Sequence, residues 1–471
     1  MEDKQLLCLS AAEYLCISLK SYYFRSQIRH RMHLVQQLLF IVCTIAGIYI
    51  FAKKVGEMRR NILLGRDEDL SDNSGQRWKN MLLLAIGQKK MFKNPIPAFL
   101  HLAVYAGFII INIEILEIFL DGFTGYHRLF AHAEGLRNLY AYLIGFFEVL
   151  ASLVLIGCVI FLIRRNILKV RRLNMKELIG WPREDANIIL LTEIVLMTLL
   201  LTMNAADQAL QGREGAEHYL ALKPFLVSGN FVHLFSGMSV PTLMIIERTC
   251  WWLHILGIFF FLNYLPYSKH FHILLAFPNA YYSKLTPNGE VKNMKDIQNE
   301  VLYMMEPDKA PAATAEGEHK RFGAKDVTDL TWKNLLDAYS CTECGRCTSV
   351  CPANNTGKKL SPRKIMMDTR DRLEEVGKNI TANKEFKDDG KSLLNDYITV
   401  EELRACTTCQ ACVDACPVMI DPLDIIMQLR RNLIMEDSNA PQEWNMMFGN
   451  IENNMAPWKF SPDDRDTWVN G

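Results

Sequence analysis

Residues 251–277 read WWLHILGIFFFLNYLPYSKHFHILLAF, an apolar stretch that is long enough to cross a bilayer and carries three histidines. A hydrocarbon core of about 30 Å needs about 20 apolar residues of helix. Working outward, four more stretches meet that length, so the sequence predicts five spans at 33–52, 96–120, 139–163, 187–206 and 251–275. A weaker apolar patch at 225–246 is broken by Gly229, Gly237 and Pro241, and reads as a re-entrant or surface segment. Beyond residue 285 the chain turns into ordinary charged, soluble sequence. The balance of 52 basic against 52 acidic residues gives no reason to expect nucleic acid.

Lysine and arginine mark the side of the membrane that each connection faces. The 53–95 connection holds ten of them and 164–186 holds seven. The 121–138 loop has only Arg128 and Arg137, and 207–250 has Arg213, Lys223 and Arg248. Five spans then place the C-terminal half in the cytoplasm of a bacterial or archaeal cell, below its cytoplasmic (inner) membrane. Residues 1–31 conflict with this, since Lys4, Lys20, Arg25, Arg29 and Arg31 fall on the outer side. Translation from Met32 removes the conflict, so 1–31 is read as an N-terminal extension that is not translated.

A histidine in an apolar span needs partners for its ring nitrogens, which makes it a functional candidate. His101 lies near the start of the second span, and His254, His270 and His272 in the fifth. From His254 to His272 is eighteen residues, or five whole turns of one continuous helix. Their rings then share a face, about 27 Å apart along the axis, with Pro266 between them as a possible bend.

The run H-x₁₁-P-Y-S-K-x-x-H resembles the last span of the cytochrome b subunit of respiratory nitrate reductase. Related membrane subunits of heterodisulfide reductase and of sulfite-reductase-associated complexes share it, and the resemblance covers roughly 33–280. It implies haem b held by His101 with His272, and His254 as a ligand of a second haem. The family's remaining ligand, ten residues after His101, is Ile111 here, which does not bind iron. His127, His132 and His233 are the replacements that the outer loops offer, and hydrogen bonding within the bundle is the plain alternative for His254. Glu114, Glu117, Glu148 and Glu193 also fall in apolar runs. Glu114 and Glu117 share a helix face and are candidates to accept protons from a quinol. Pairing with a loop arginine such as Arg128 is the structural alternative.

The soluble half contains CTECGRCTSVCP at 341–352 and CTTCQACVDACP at 406–417. Both match C-x₂-C-x₂-C-x₃-C-P, in which three thiolates bind one 4Fe–4S cluster and the fourth binds the other. The expected sets are Cys341, Cys344, Cys347 and Cys416, and Cys406, Cys409, Cys412 and Cys351. Paired zinc knuckles are the alternative, disfavoured by two complete runs each ending in proline. The other five cysteines, Cys8, Cys16, Cys43, Cys158 and Cys250, read as inert apolar side chains.

The 53 residues between the runs have a helical pattern, with Ser361-Pro362 as a helix start. Together with FGAKDVTDLTWKNLLDAYSCTECGRCTSVCPAN (322–354) and GKKLSPRKIM (357–366), this resembles the α-helical ferredoxin of heterodisulfide reductase and succinate dehydrogenase iron–sulfur subunits. In larger members a catalytic part with CCG motifs follows. No Cys-Cys pair occurs here, and the tail NNMAPWKFSPDDRDTWVNG looks like the connection into that part.

The expected architecture is therefore mainly α: a five-span transmembrane helical bundle followed by a cytoplasmic α-helical ferredoxin domain. Its parts are 1–31 extension, 32–280 haem domain, 281–325 linker, 326–435 ferredoxin and 436–471 partner-docking tail. The expected role is an electron-transfer subunit of a respiratory, quinone-linked oxidoreductase, working with a separate cytoplasmic CCG-type iron–sulfur subunit. A redox-sensing or docking scaffold without quinone turnover is the alternative. A transporter is disfavoured because no internal repeat of spans is evident.

Overall fold

The computed structural model describes residues 34–310, 321–459, 461–464 and 466–469; the 1–31 extension lies outside them. The described secondary structure is helical, without a named strand. The chain divides into two compact units. One comprises the described residues up to Gly56 together with Met91–His270, and the other Glu57–Lys90 with Phe271 onward.

Among the described residues, five helices are long and apolar enough to span a membrane: Leu34–Ile62, Pro95–Thr124, Arg137–Asn166, Trp181–Leu210 and Val240–Tyr267, the last ending in a 3₁₀ turn. We label them α1 (Leu34–Ile62), α2 (Pro95–Thr124), α3 (Arg137–Asn166), α4 (Trp181–Leu210) and α5 (Val240–Tyr264). Only 17–39% of each apolar window is buried within the chain. The rest, including Ile48, Ile109, Leu116, Ile156, Val195 and Phe260, faces outward. Lipid is the solvent that such faces suit.

In the first unit α2 packs on α3, α3 on α4 and α4 on α5. Small residues allow the close approach, as they do between helices in lipid. A Cβ added at Gly107 would collide with Val154 Cγ2, and one at Gly257 would sit 2.7 Å from Leu196 Cδ2. Phe40 of α1, 1% exposed, closes the core between the rings of Phe119, Phe123, Trp251 and Phe259.

The fifth span differs from the expected 251–275. Its helix starts earlier, at Val240, where Ser239 Oγ accepts from Thr242 N and Pro241 fits the first turn. It also stops earlier, at Tyr264. Residues 265–271 form two 3₁₀ turns around an extended Ser268, and a new helix, α6 (His272–Tyr281), follows. Pro266 removes a backbone donor there. Buried Asp185 holds the break, accepting from Tyr264 OH at 2.5 Å and Lys269 N at 3.2 Å. His254 and His272 are thus on separate helices, and the five-turn alignment along one helix does not hold. The 225–246 patch divides in the same way, into a 3₁₀ segment Ser228–Phe235 and the first turns of α5.

The second unit is built on α6, α7 (Trp332–Ser340), α8 (Pro362–Asn383) and α9 (Pro422–Met435). Thr331, Ser361 and Asp421 cap the last three with their side-chain oxygens. Leu335, Ile365, Leu373, Val376, Ile425 and Leu429 fill the core. The stretch expected to be a linker, 281–325, carries a helix at Lys295–Met305. The basic 57–90 segment belongs to this unit. Arg66 N donates to Leu330 O at 2.7 Å, Trp332 N returns a bond to Arg66 O at 3.0 Å, and Asn61 Nδ2 donates to Tyr339 OH at 3.1 Å. A Cβ at Gly65 would lie 2.6 Å from Trp332 N, so only glycine fits at this crossing.

Candidate functional site

The two cysteine runs fold alike. Each begins at the C-terminal end of a helix, with Cys341 closing α7 and Cys406 closing Val400–Ala405. The third and fifth positions of each run take the left-handed conformation: Glu343 (φ 53°) and Gly345 (φ 70°), then Thr408 (φ 57°) and Gln410 (φ 59°). A short helix follows, Arg346–Ser349 in one run and Ala411–Ala415 in the other. A β-branched residue such as Thr408 takes positive φ only at a cost, and such strain collects at functional sites. Left-handed turns of this kind aim successive N–H groups into a concavity that suits an anion, iron–sulfur sites included. Thr408 N donates to Cys406 Sγ at 3.4 Å, and Ile420 N to Cys416 Sγ at 3.3 Å.

One cavity is lined by Cys341, Cys344 and Cys347 of the first run together with Cys416 of the second. That is the crossed set read from the spacing. Burial pushes the Cys341 and Cys416 thiols up to about 12. At such values they stay protonated at neutral pH even beside the cavity's arginines, so thiolate ligation needs the metal's charge. Cys351 is the electrostatic neighbour of Cys406 and Cys412 in the second set, where burial again raises both thiols. Among the described residues no three His, Cys, Asp or Glu side chains converge to hold a single metal ion. Four thiols around a cavity suit a cubane better than one zinc ion.

The two sets differ in surroundings, which the spacing does not reveal. Cys409 is exposed, whereas Cys341 is buried. Arg346 and Arg363 line the first cavity, and Arg363 is 0% exposed. Arg370 pairs with buried Glu343 at 2.9 Å. A basic side chain at the second position of the helix that follows the first cysteine run is the signal that could have pointed to Arg363.

The histidines are distributed between the units. His101 is half-buried on α2 of the first. His254, 2% exposed on α5, has its Nδ1 3.1 Å from Leu196 O. Donation from Nδ1 leaves Nε2 as the ring's acceptor, the arrangement of a ligating histidine. Ile111 is packed in the apolar core, so the tenth position after His101 is filled by hydrocarbon. In the second unit His272 opens α6. Seven residues along that helix, Asn279 donates to Val418 O at 2.8 Å, two positions from Cys416, and accepts from Lys333 Nζ at 3.1 Å.

The loop histidines His127, His132 and His233 are engaged or exposed. His127 Nε2 meets Asp207 Oδ2 at 2.9 Å, and its Nδ1 lies 3.4 Å from Arg248. His132 and His233 are exposed, beside the backbone oxygens of His127 and Asn230. Arg128 organises a buried network, donating to Asp207 at 2.6 Å, Asn204 at 2.7 Å and Tyr140 at 3.1 Å. Tyr140 donates to Glu117 at 2.7 Å, and Asn204 to Glu148 at 3.0 Å. Glu117 is therefore tied to Arg128 through Tyr140, while Glu114 Oε2 is buried with no hydrogen-bond partner among the described residues.

Residues 340–420 match the family model of a 4Fe-4S dicluster domain. The chain is 28% identical over 460 residues to a Bacillus subtilis protein named "Probable iron-sulfur-binding oxidoreductase FadF", covering 92% of this chain and 60% of that one. It is 28% identical over 448 residues to the EtfAB:quinone oxidoreductase of Syntrophomonas wolfei, covering 90% and 56%. A third relative is one of the subunits of the ferredoxin/F(420)H(2)-dependent CoB-CoM heterodisulfide reductase of Methanosarcina acetivorans. It is 36% identical over 120 residues, 25% of this chain and 60% of that relative. The chain thus spans little more than half the length of its first two relatives. No solved structure matches it. These likenesses make it similar to iron–sulfur oxidoreductases with a dicluster domain.

Proposed function

We propose that this chain is a membrane-bound electron conduit between the quinone pool and a cytoplasmic iron–sulfur partner of the heterodisulfide-reductase (CCG) type. In this reading Cys341, Cys344, Cys347 and Cys416 hold one 4Fe–4S cluster, and Cys406, Cys409, Cys412 and Cys351 the other. His101 and His272 hold haem b. His254 is a ligand candidate for a second haem, for which Ile111 offers no partner. When bound, these groups supply one-electron transfer, and the protein contributes ligation, spacing and potential.

The observation that carries the proposal is the cavity in which three thiols of one run meet the fourth of the other. The quinone in the printed name of a relative matching 90% of this chain supports the membrane half. So does the course of α6, which starts at His272 and reaches the backbone beside Cys416 through Asn279. The basic connections support a cytoplasmic second unit. Quinol oxidation releases protons, and Glu114, buried with one oxygen unpartnered among the described residues, is a candidate acceptor.

The test uses the full chain purified in detergent. A quinol analogue should reduce haem b and then the clusters, and a quinone-site inhibitor should abolish that reduction. If haem and clusters stay oxidised under excess quinol, and reduced clusters pass no electrons to quinone, the conduit reading fails and a docking or sensing scaffold takes its place.

A further inference from the structure

We infer that Arg363 makes the cluster held by Cys341, Cys344, Cys347 and Cys416 the more readily reduced of the two, by fixing a buried positive charge in its cavity wall. The inference rests on the iron–sulfur reading above. Arg363 is fully buried, lines that cavity and is the second residue of α8, so the helix's N-terminal dipole has the same sign at the same place. Its position is fixed from both ends. Its backbone N donates to Thr348 Oγ1 at 3.4 Å, and its Nη1 donates to Glu343 O at 3.4 Å. Thr348 and Ser361 hydroxyls, 2.9 Å apart, brace the turn that presents it.

The charge balance around the two sets is unequal. Beside the first stand Arg346, Arg363 and Arg370 against Glu343 and Asp371, both paired with Arg370, three positive groups to two negative. Beside the second, Asp421 neighbours Cys412 and Arg430 neighbours Cys406. The Arg430 guanidinium donates to the carbonyls of Leu403 and Cys406, leaving one positive group and one negative. Burial alone opposes adding an electron to an already anionic group, so the enclosed first set ought to be the harder to reduce. A guanidinium in the same low-dielectric wall acts in the opposite sense, and is screened far less than the solvent beside exposed Cys409 allows.

Anaerobic redox titration of the full chain in detergent, followed by electron paramagnetic resonance, should show two waves. Cys409→Ser moves one of them and so identifies the exposed cluster. Arg363→Gln should move the other wave to lower potential by at least a tenfold change in equilibrium, 59 mV for one electron, with iron content unchanged. Arg363→Lys, which keeps the charge, should stay within that margin. Movement of the Cys409-assigned wave instead, equal movement of both, or no movement overturns the inference. If the neutral variant loses iron, Arg363→Lys carries the test, and a fall of 59 mV or more in that variant overturns it. A wild-type chain with no cluster signal would sink the iron–sulfur reading itself, which is a different outcome.

Discussion

Removing cysteines in pairs distinguishes a crossed ligand set from two self-contained ones. Each 4Fe–4S cluster contributes about four irons, so the intact chain is expected to carry about eight. Because Cys416 lines the cavity of Cys341, Cys344 and Cys347, Cys341→Ala and Cys416→Ala should each lower the count to about four. The double variant should stay at about four, since both changes strike one site. Cys416→Ala combined with Cys406→Ala strikes both sites and should approach zero, although those two residues belong to one run. Self-contained runs give the reverse pattern. The assay is iron and acid-labile sulfide per chain after anaerobic purification, with electron paramagnetic resonance of the reduced protein as a check on cluster type. The Cys406 and Cys416 double variant retaining about half of the iron would refute the crossed assignment.

Other substitutions test the rest of the molecule. His101→Ala and His272→Ala should each abolish the same haem b band in the optical spectrum while the iron–sulfur count is retained; loss of different bands separates the two residues. Arg372 is 0% exposed and pairs with Asp326 and Asp389 at 2.7 and 2.6 Å. Arg372→Met takes the guanidinium from two partly exposed carboxylates and should destabilise the second unit by about 1–3 kcal/mol, read from denaturant midpoints. A midpoint like that of wild type counts against it. Gly107→Ala drives a methyl group into Val154 and should lower stability by about 1–3 kcal/mol. Val154→Ala added to it should restore much of the loss, and additive effects in the double-mutant cycle would show that the two residues do not share the space.

Much of this architecture is legible in the residues because its causes are local or periodic. Long apolar runs produce five spans wherever the backbone must satisfy itself, and Ser361-Pro362 announces α8 because cap and first-turn proline act within four residues. The cysteine spacing points to the crossed set, since the reach of three short loops decides which sulfur is left over. What the sequence hides is long-range. Asp185, about 80 residues upstream, stabilises the break that separates His254 from His272. Asn61 and Arg66 belong to the same unit as Trp332 and Tyr339 through hydrogen bonds across more than 260 residues. Arg128 binds Asn204 and Asp207 through a fold that no window of sequence contains. Strain at Thr408 is equally silent, because nothing in C-T-T-C says which threonine turns left-handed.

The course of α6 bears on which changes in chain length this protein tolerates. Between His272 and Asn279 the backbone stays helical, through Pro278, so their separation is counted in whole residues at about 1.5 Å and 100° each. A single inserted residue turns the Asn279 amide away from the Val418 carbonyl by more than a quarter of a revolution. No flexible side chain in the interval can absorb that rotation. Insertions and deletions are therefore closed to this segment, and substitution alone remains as a route of variation there.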